Sequence, residues 1–144
     1  MYSALDVARY IIWYCKQSNY VISNLKLQKI LYFVQADFLV NRGMPCFYEE
    51  IEAWDFGPVV LEVYHEFKIF GSSNIPASVC KGAEYMIIRS DRKMIDDMVD
   101  ECAQYTASYL VDVTHSQDPW KKAYRKGFNN IIKNSCIKAY FSKK

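Results

Sequence analysis

At 144 residues, 51% hydrophobic and 24% charged, the chain fits one domain and can bury a core without covalent staples. A formal net charge of +2 argues against nucleic acid as the main partner, and charges break every apolar run well short of the roughly 18 residues that a membrane helix needs. Five scattered cysteines, odd in number, and two histidines at no ligand spacing exclude a disulfide framework and a zinc site, so neither metal nor cofactor is expected.

Ser3, followed by Asp6, makes a capping-box-like start for a first helix, whose apolar stripe is Ala4, Val7, Ala8, Ile11, Ile12 and Cys15, with Asn19 as the stop. A second helix is predicted from Ser23 or Asn24 to Asn41, closed by Arg42 and Gly43. Leu27, Ile30, Leu31, Val34 and Phe38 form one apolar stripe, while Leu25, Tyr32, Ala36 and Leu39 cover much of another side. Only a narrow strip with Lys26, Lys29 and Asp37 is polar. A helix that is apolar nearly all round is surrounded by other elements, which places this one at the centre.

Beyond Gly43 the period changes. Residues 45–48 and 51–54 are short, aromatic and β-compatible, which predicts a small hairpin joined through Glu49 and Glu50. Asp55-Phe56-Gly57-Pro58 reads as a turn into a helix with Pro58 in its first turn, carried on by Val60, Val63, Tyr64 and Phe67 as far as Gly71. Residues 71–76 read as a loop and 85–89 as a weak strand. Asp91 is placed as the cap of a helix carrying Met94, Ile95, Met98, Val99, Cys102 and Tyr105. Shorter helices are predicted over 107–113, from Asp118-Pro119 to Gly127, and from Asn134 or Ser135 to Phe141. The predicted fold is mainly α: one compact helical bundle, residues 1–144, around a central buried helix, with a small β-hairpin.

Charge is unevenly placed. From Lys121 onward there are eight Lys and Arg and no Asp or Glu, whereas residues 91–101 hold five acids against Arg92 and Lys93. Such runs are most often solvated faces. No nucleophile elbow and no glycine-rich phosphate loop is present. A Cys–His pair rests on any of five cysteines with either histidine, so it singles out none. No catalytic residue is assigned and the chain is not read as an enzyme. Without a signal peptide, it reads as a cytoplasmic protein with reduced thiols.

Three blocks carry a family pattern. Ile22-Ser23-Asn24-Leu25-Lys26-Leu27-Gln28-Lys29-Ile30-Leu31-Tyr32-Phe33-Val34-Gln35-Ala36 resembles the second-helix motif of the Panacea domain family, which includes phage-associated GepA-like proteins and SocA-type antitoxins. Glu52-Ala53-Trp54-Asp55-Phe56-Gly57-Pro58-Val59-Val60 resembles its A-W-x-x-G-P-V block, and Thr114-His115-Ser116-Gln117-Asp118-Pro119-Trp120-Lys121-Lys122-Ala123 its T-H-x-x-x-P-W-x-x-A block. The resemblance implies a mostly helical domain that neutralises a cognate toxin by direct contact.

Within these blocks Trp54, Gly57, Pro58, His115, Pro119 and Trp120 are read as structural. The Gly-Pro step sets a turn, and the His115 ring is expected to bond the turn leading to Pro119. Lys26, Gln28, Lys29, Tyr32 and Tyr64 are read as partner-binding, with Phe33 as a further aromatic candidate. The lysines share one strip of the central helix, and aromatic residues contribute most at protein interfaces. A second reading is a proteolysis adaptor that delivers its partner to a protease machine, with Tyr140-Phe141-Ser142-Lys143-Lys144 as its contact. A Cys/His-based enzyme ranks last.

Overall fold

A computed structural model describes residues 1–143. Lys144, the end of the basic C-terminal segment, lies outside the described residues. Among the described residues there are seven α-helices and a small three-stranded sheet: α1 Ala4–Gln17, α2 Asn24–Asn41, β1 Ile51–Trp54, β2 Gly57–Val59, α3 Leu61–Phe67, α4 Arg89–Ala103, α5 Ala107–His115, α6 Asp118–Ala123, β3 Ile131–Ile132 and α7 Asn134–Phe141. Three single 3-10 turns, Lys68–Phe70, Ala77–Cys80 and Ala83–Tyr85, fill the stretch between α3 and α4. No helix among the described residues is long and apolar enough to cross a membrane.

α2 is the axle. Twelve of its eighteen residues are buried, and it packs against α1, α3, α4, α5, α7 and β2. Leu27, Ile30, Leu31 and Tyr32 are all sealed from solvent, and each large apolar side chain so buried contributes roughly 1.5–3 kcal/mol. The first two helices begin on serine caps, Ser3 accepting from the Asp6 N–H and Ser23 from the Lys26 N–H, as their sequences predict. α4 is different. It buries only Ile95, Val99 and Cys102, and its acids serve as acceptors: Tyr10 donates to Asp96, Tyr14 and Tyr20 to Asp100, and Tyr2 to Asp91. Burial and these carboxylates push the Tyr2 and Tyr14 hydroxyls up to about 12. The acidic run of 91–101 is therefore partly a structural seam rather than a purely solvated face.

The hairpin exists, but one strand later than its sequence suggests. β1 pairs antiparallel with β2, in register Glu52 with Val59 and Trp54 with Gly57, and on its other side with β3. Asp55 and Phe56 form the two-residue turn. Residues 45–48 lie outside the named strands, and Phe47 makes only an isolated bridge to Tyr2. Pro58 sits in β2, not in a helix. β2 is an edge strand of the order β2-β1-β3, where a missing N–H removes no ladder bond. α3 begins at Leu61, after Val60, whose side chain offers it no capping bond. Residues 85–89 are the end of a 3-10 turn and the start of α4, not a strand. Asp91 lies inside the first turn of α4, two residues past its start at Arg89, and holds Arg42 at 2.7 Å as well as Tyr2.

Candidate functional site

The buried polar side chains of α2 are spent on partners within the protein, most of them backbone groups. Gln28 accepts from the Val60 N–H at 2.9 Å and donates to Asn24, whose amide donates to the Tyr64 carbonyl, so the start of α3 is tied to the start of α2. At the next position the Lys29 amine donates to the Pro58 carbonyl at 2.6 Å. Tyr32 donates to Gln117 at 2.9 Å, and Gln35 accepts from Cys46 and Phe47 while donating to the Phe47 carbonyl. Among the described residues no buried polar side-chain atom is left without a partner. Desolvation lowers the Lys29 amine to about 7, the only cause acting on it.

This arrangement corrects part of the sequence reading. Gln28, Lys29 and Tyr32 are 1%, 0% and 0% exposed, so no docked partner touches them in this conformation. They hold the hairpin and α6 in place instead. Lys26 is half-buried and lines a shallow groove with Val21, Tyr105 and Thr106. Phe33 is half-buried against Phe141. Tyr64 is half-buried, packs edge-on against Trp54 and faces a cleft described below.

The residues read as structural converge on the hairpin, although two of the three blocks are about sixty positions apart. Trp120 donates its indole N–H to the Trp54 carbonyl at 2.8 Å, His115 Nε2 donates to the Asp55 carbonyl at 2.9 Å, and the Tyr124 hydroxyl donates to the Asp55 carboxylate at 2.5 Å. The three rings stack in series, His115 on Trp120 at 4.1 Å and Trp120 on Tyr124 at 4.4 Å. His115 thus bonds the hairpin turn, not the turn before Pro119 as expected. Pro119 is buried in the first turn of α6, where its missing N–H is no loss. Gly57 has φ +103°, and a Cβ there would lie 2.8 Å from Thr114 Oγ1 and 3.0 Å from Lys29 Cε. Only glycine lets β2 approach α2 and α5 so closely. Thr114, Gln117, Asp55 and Tyr124 were missed as members of this node. The first three lay inside the matched blocks, but only the pairing across space reveals what they do.

In front of the node lies a cleft of about 580 Å³. Trp54 and Phe56 of the hairpin form one wall, Tyr64 and Lys68 another, and Phe128 with Gly127 and Asn129 a third, over a floor of Asn24, Leu25 and Gln28. Phe56 and Phe128 are 68% and 66% exposed at its mouth. Neither these two nor Lys68 stood out in the sequence, since no periodic pattern marks residues on turns and loops.

Burial pushes the Cys15, Cys46 and Cys102 thiols up to about 12, which disfavours the thiolate a nucleophile requires. Among the described residues no cluster of three or more His, Cys, Asp or Glu is placed to hold a metal ion.

Comparison with known proteins adds an independent line. The family profile described as antitoxin SocA-like, Panacea domain, matches residues 27–121, from the first turn of α2 into α6. Antitoxin SocA of Caulobacter vibrioides (strain NA1000 / CB15N) is 37% identical over 109 residues, covering 69% of this chain and 58% of that relative. The match therefore spans little more than half of the relative's length. No solved structure matches the chain.

Proposed function

The chain belongs to the SocA-like Panacea antitoxin family, and from that premise we propose that it is an antitoxin-type protein which neutralises a cognate toxin by direct protein–protein binding. One observation carries the reading beyond family membership. The family's blocks are spent on holding a hairpin tip rigid beside an open aromatic cleft. Three aromatic donors from α5, α6 and the residue that follows α6 fix two successive residues of the tip, Trp54 and Asp55, while the next residue, Phe56, is left in solvent. A binder gains affinity when its contact surface is already ordered, because less conformational freedom is lost on association.

In this reading Tyr64 and Trp54 are contact residues at the cleft wall and Lys26 lies outside it. Gln28, Lys29 and Tyr32 act indirectly by positioning the hairpin and α6. The chain acts as a stoichiometric partner and not as a catalyst.

The test is co-expression with the product of the gene beside its own, in a host that this product arrests. Restored growth together with a complex that survives size-exclusion chromatography is the expected result. Continued arrest, or rescue with no complex at any concentration tried, would sink the proposal.

A further inference from the structure

The cleft has a charge pattern as well as a shape. Its walls are aromatic, with Trp54, Phe56, Tyr64 and Phe128 contributing. Lys68 lines it and makes no ion pair among the described residues. The one carboxylate in the lining, Asp55, already accepts the Tyr124 hydroxyl. The wall bearing Phe128 follows directly on Arg125 and Lys126, within a stretch from Lys121 onward that has no acid at all. A second groove, reached past the Trp54 indole that donates to Glu52, offers a contrast, being lined by Tyr48, Glu49, Glu50, Glu52, Leu61, Glu62 and Ile131. The second groove carries four carboxylates and no cation, whereas the first is lined by one cation and one engaged carboxylate, has Arg125 paired with Phe128 at its edge, and has exposed phenylalanines at its mouth.

We infer that the aromatic cleft takes a segment of the partner in which an aromatic or aliphatic side chain stands next to a carboxylate. The identification of that partner as the toxin rests on the antitoxin reading. The apolar side chain enters between Phe56, Phe128 and Tyr64, where burial of its surface and ring-to-ring contact favour it. The carboxylate meets Lys68 and the basic flank, and a basic segment is repelled there. Complementary charge at the rim selects the partner segment and speeds its encounter, while the aromatic anchor supplies residence.

The experiment uses the full chain as bait for a display library of random peptides. Peptides enriched in an acid beside an aromatic or aliphatic residue are expected. The selected peptides should bind Lys68→Glu and Phe128→Ser at least several-fold more weakly than the parent, and Glu62→Lys equally well. A basic or charge-free consensus, no consensus, or undiminished binding to both cleft variants would overturn the inference. Should Phe128→Ser fail to fold, the Lys68→Glu charge reversal on an exposed side chain decides alone.

The same variants in the co-expression assay separate the two proposals. If the parent protects against the toxin and both cleft variants protect equally, the cleft inference falls and the antitoxin reading stands. If the parent fails to protect while the peptide selection succeeds, the antitoxin reading falls and the cleft's ligand class stands.

Discussion

Behind the β1–β2 hairpin, Gly57 and Pro58 lie against Lys29 and Thr114 with no room for a methyl group, whereas at its tip the side chain of Phe56 is mostly in water. The two regions are one residue apart in the chain. The back is polar in composition and dry, while the front is aromatic and wet. In this protein the buried polarity of the central helix serves as internal clamps, and in the proposed function the exposed aromatic residues of the turns are the surface offered to a partner. Substitutions on the two sides should therefore divide cleanly between stability and binding.

The largest effect is expected at Gly57. Gly57→Ala forces a side chain into the left-handed region and places a methyl group 2.8 Å from Thr114 Oγ1, so roughly 3–5 kcal/mol should be lost. Gly127→Ala is the matched control, also at positive φ but with nothing within 4 Å of the added carbon, and only its backbone strain should register. Urea unfolding of both variants measures the gap. Equal losses would show that the back of the hairpin is not tightly packed.

Lys29 gives the next effect, and its sign depends on pH. The amine sits at about 7 in the folded protein against an ordinary 10.5 when unfolded. Between those values the unfolded chain binds more protons, so stability rises with pH through that window and is flat below it. Lys29→Met removes the rise. At about pH 9 the variant loses roughly 1–3 kcal/mol, because the Pro58 carbonyl is left buried without a donor. At about pH 6 the loss shrinks or reverses, because the parent then carries the cost of a buried charge. Parallel pH profiles for parent and variant would contradict the burial argument.

A smaller loss is expected from Trp120→Phe, which keeps a ring for the His115 stack but removes the donor to Trp54. About 1 kcal/mol should disappear from the global stability. Hydrogen exchange at the hairpin amides should quicken by more than exchange in α2, since the tip loses one of its three restraints. Uniform quickening would mean that the stack is an ordinary piece of core.

Legibility in the sequence followed the range of the forces involved. The serine caps at Ser3 and Ser23 and the apolar surface of α2 act within one helix, so they were readable and the structure bears them out. The hairpin slipped because residues 45–48 look like a strand, while the real partner, β2, carries Pro58, which lowers its strand signal. β3 is two residues long and left no pattern to find. The helical wheel showed that Gln28, Lys29 and Tyr32 lie on particular faces of α2, yet a wheel does not say which faces are covered. Trp54 stood out as a structural member of a family block, and Tyr64 as an aromatic anchor. Phe56, Phe128 and Lys68 did not, because the cleft forms only when three separate segments meet.

Phe56 should give the smallest change in stability and a large one in binding. Its side chain is 68% exposed and no hydrogen bond holds it, so Phe56→Ser should shift the unfolding free energy by no more than about 0.5 kcal/mol. The backbone of the turn stays pinned through Trp54 and Asp55, whose partners do not involve the ring. Protection in the co-expression assay should nonetheless fall, because an ordered aromatic anchor at an interface centre is the residue type whose loss is felt most. Thermal unfolding of the variant beside its growth rescue makes the comparison direct. A variant that is as stable as the parent and still protects fully would show that the tip is held rigid for some purpose other than contact.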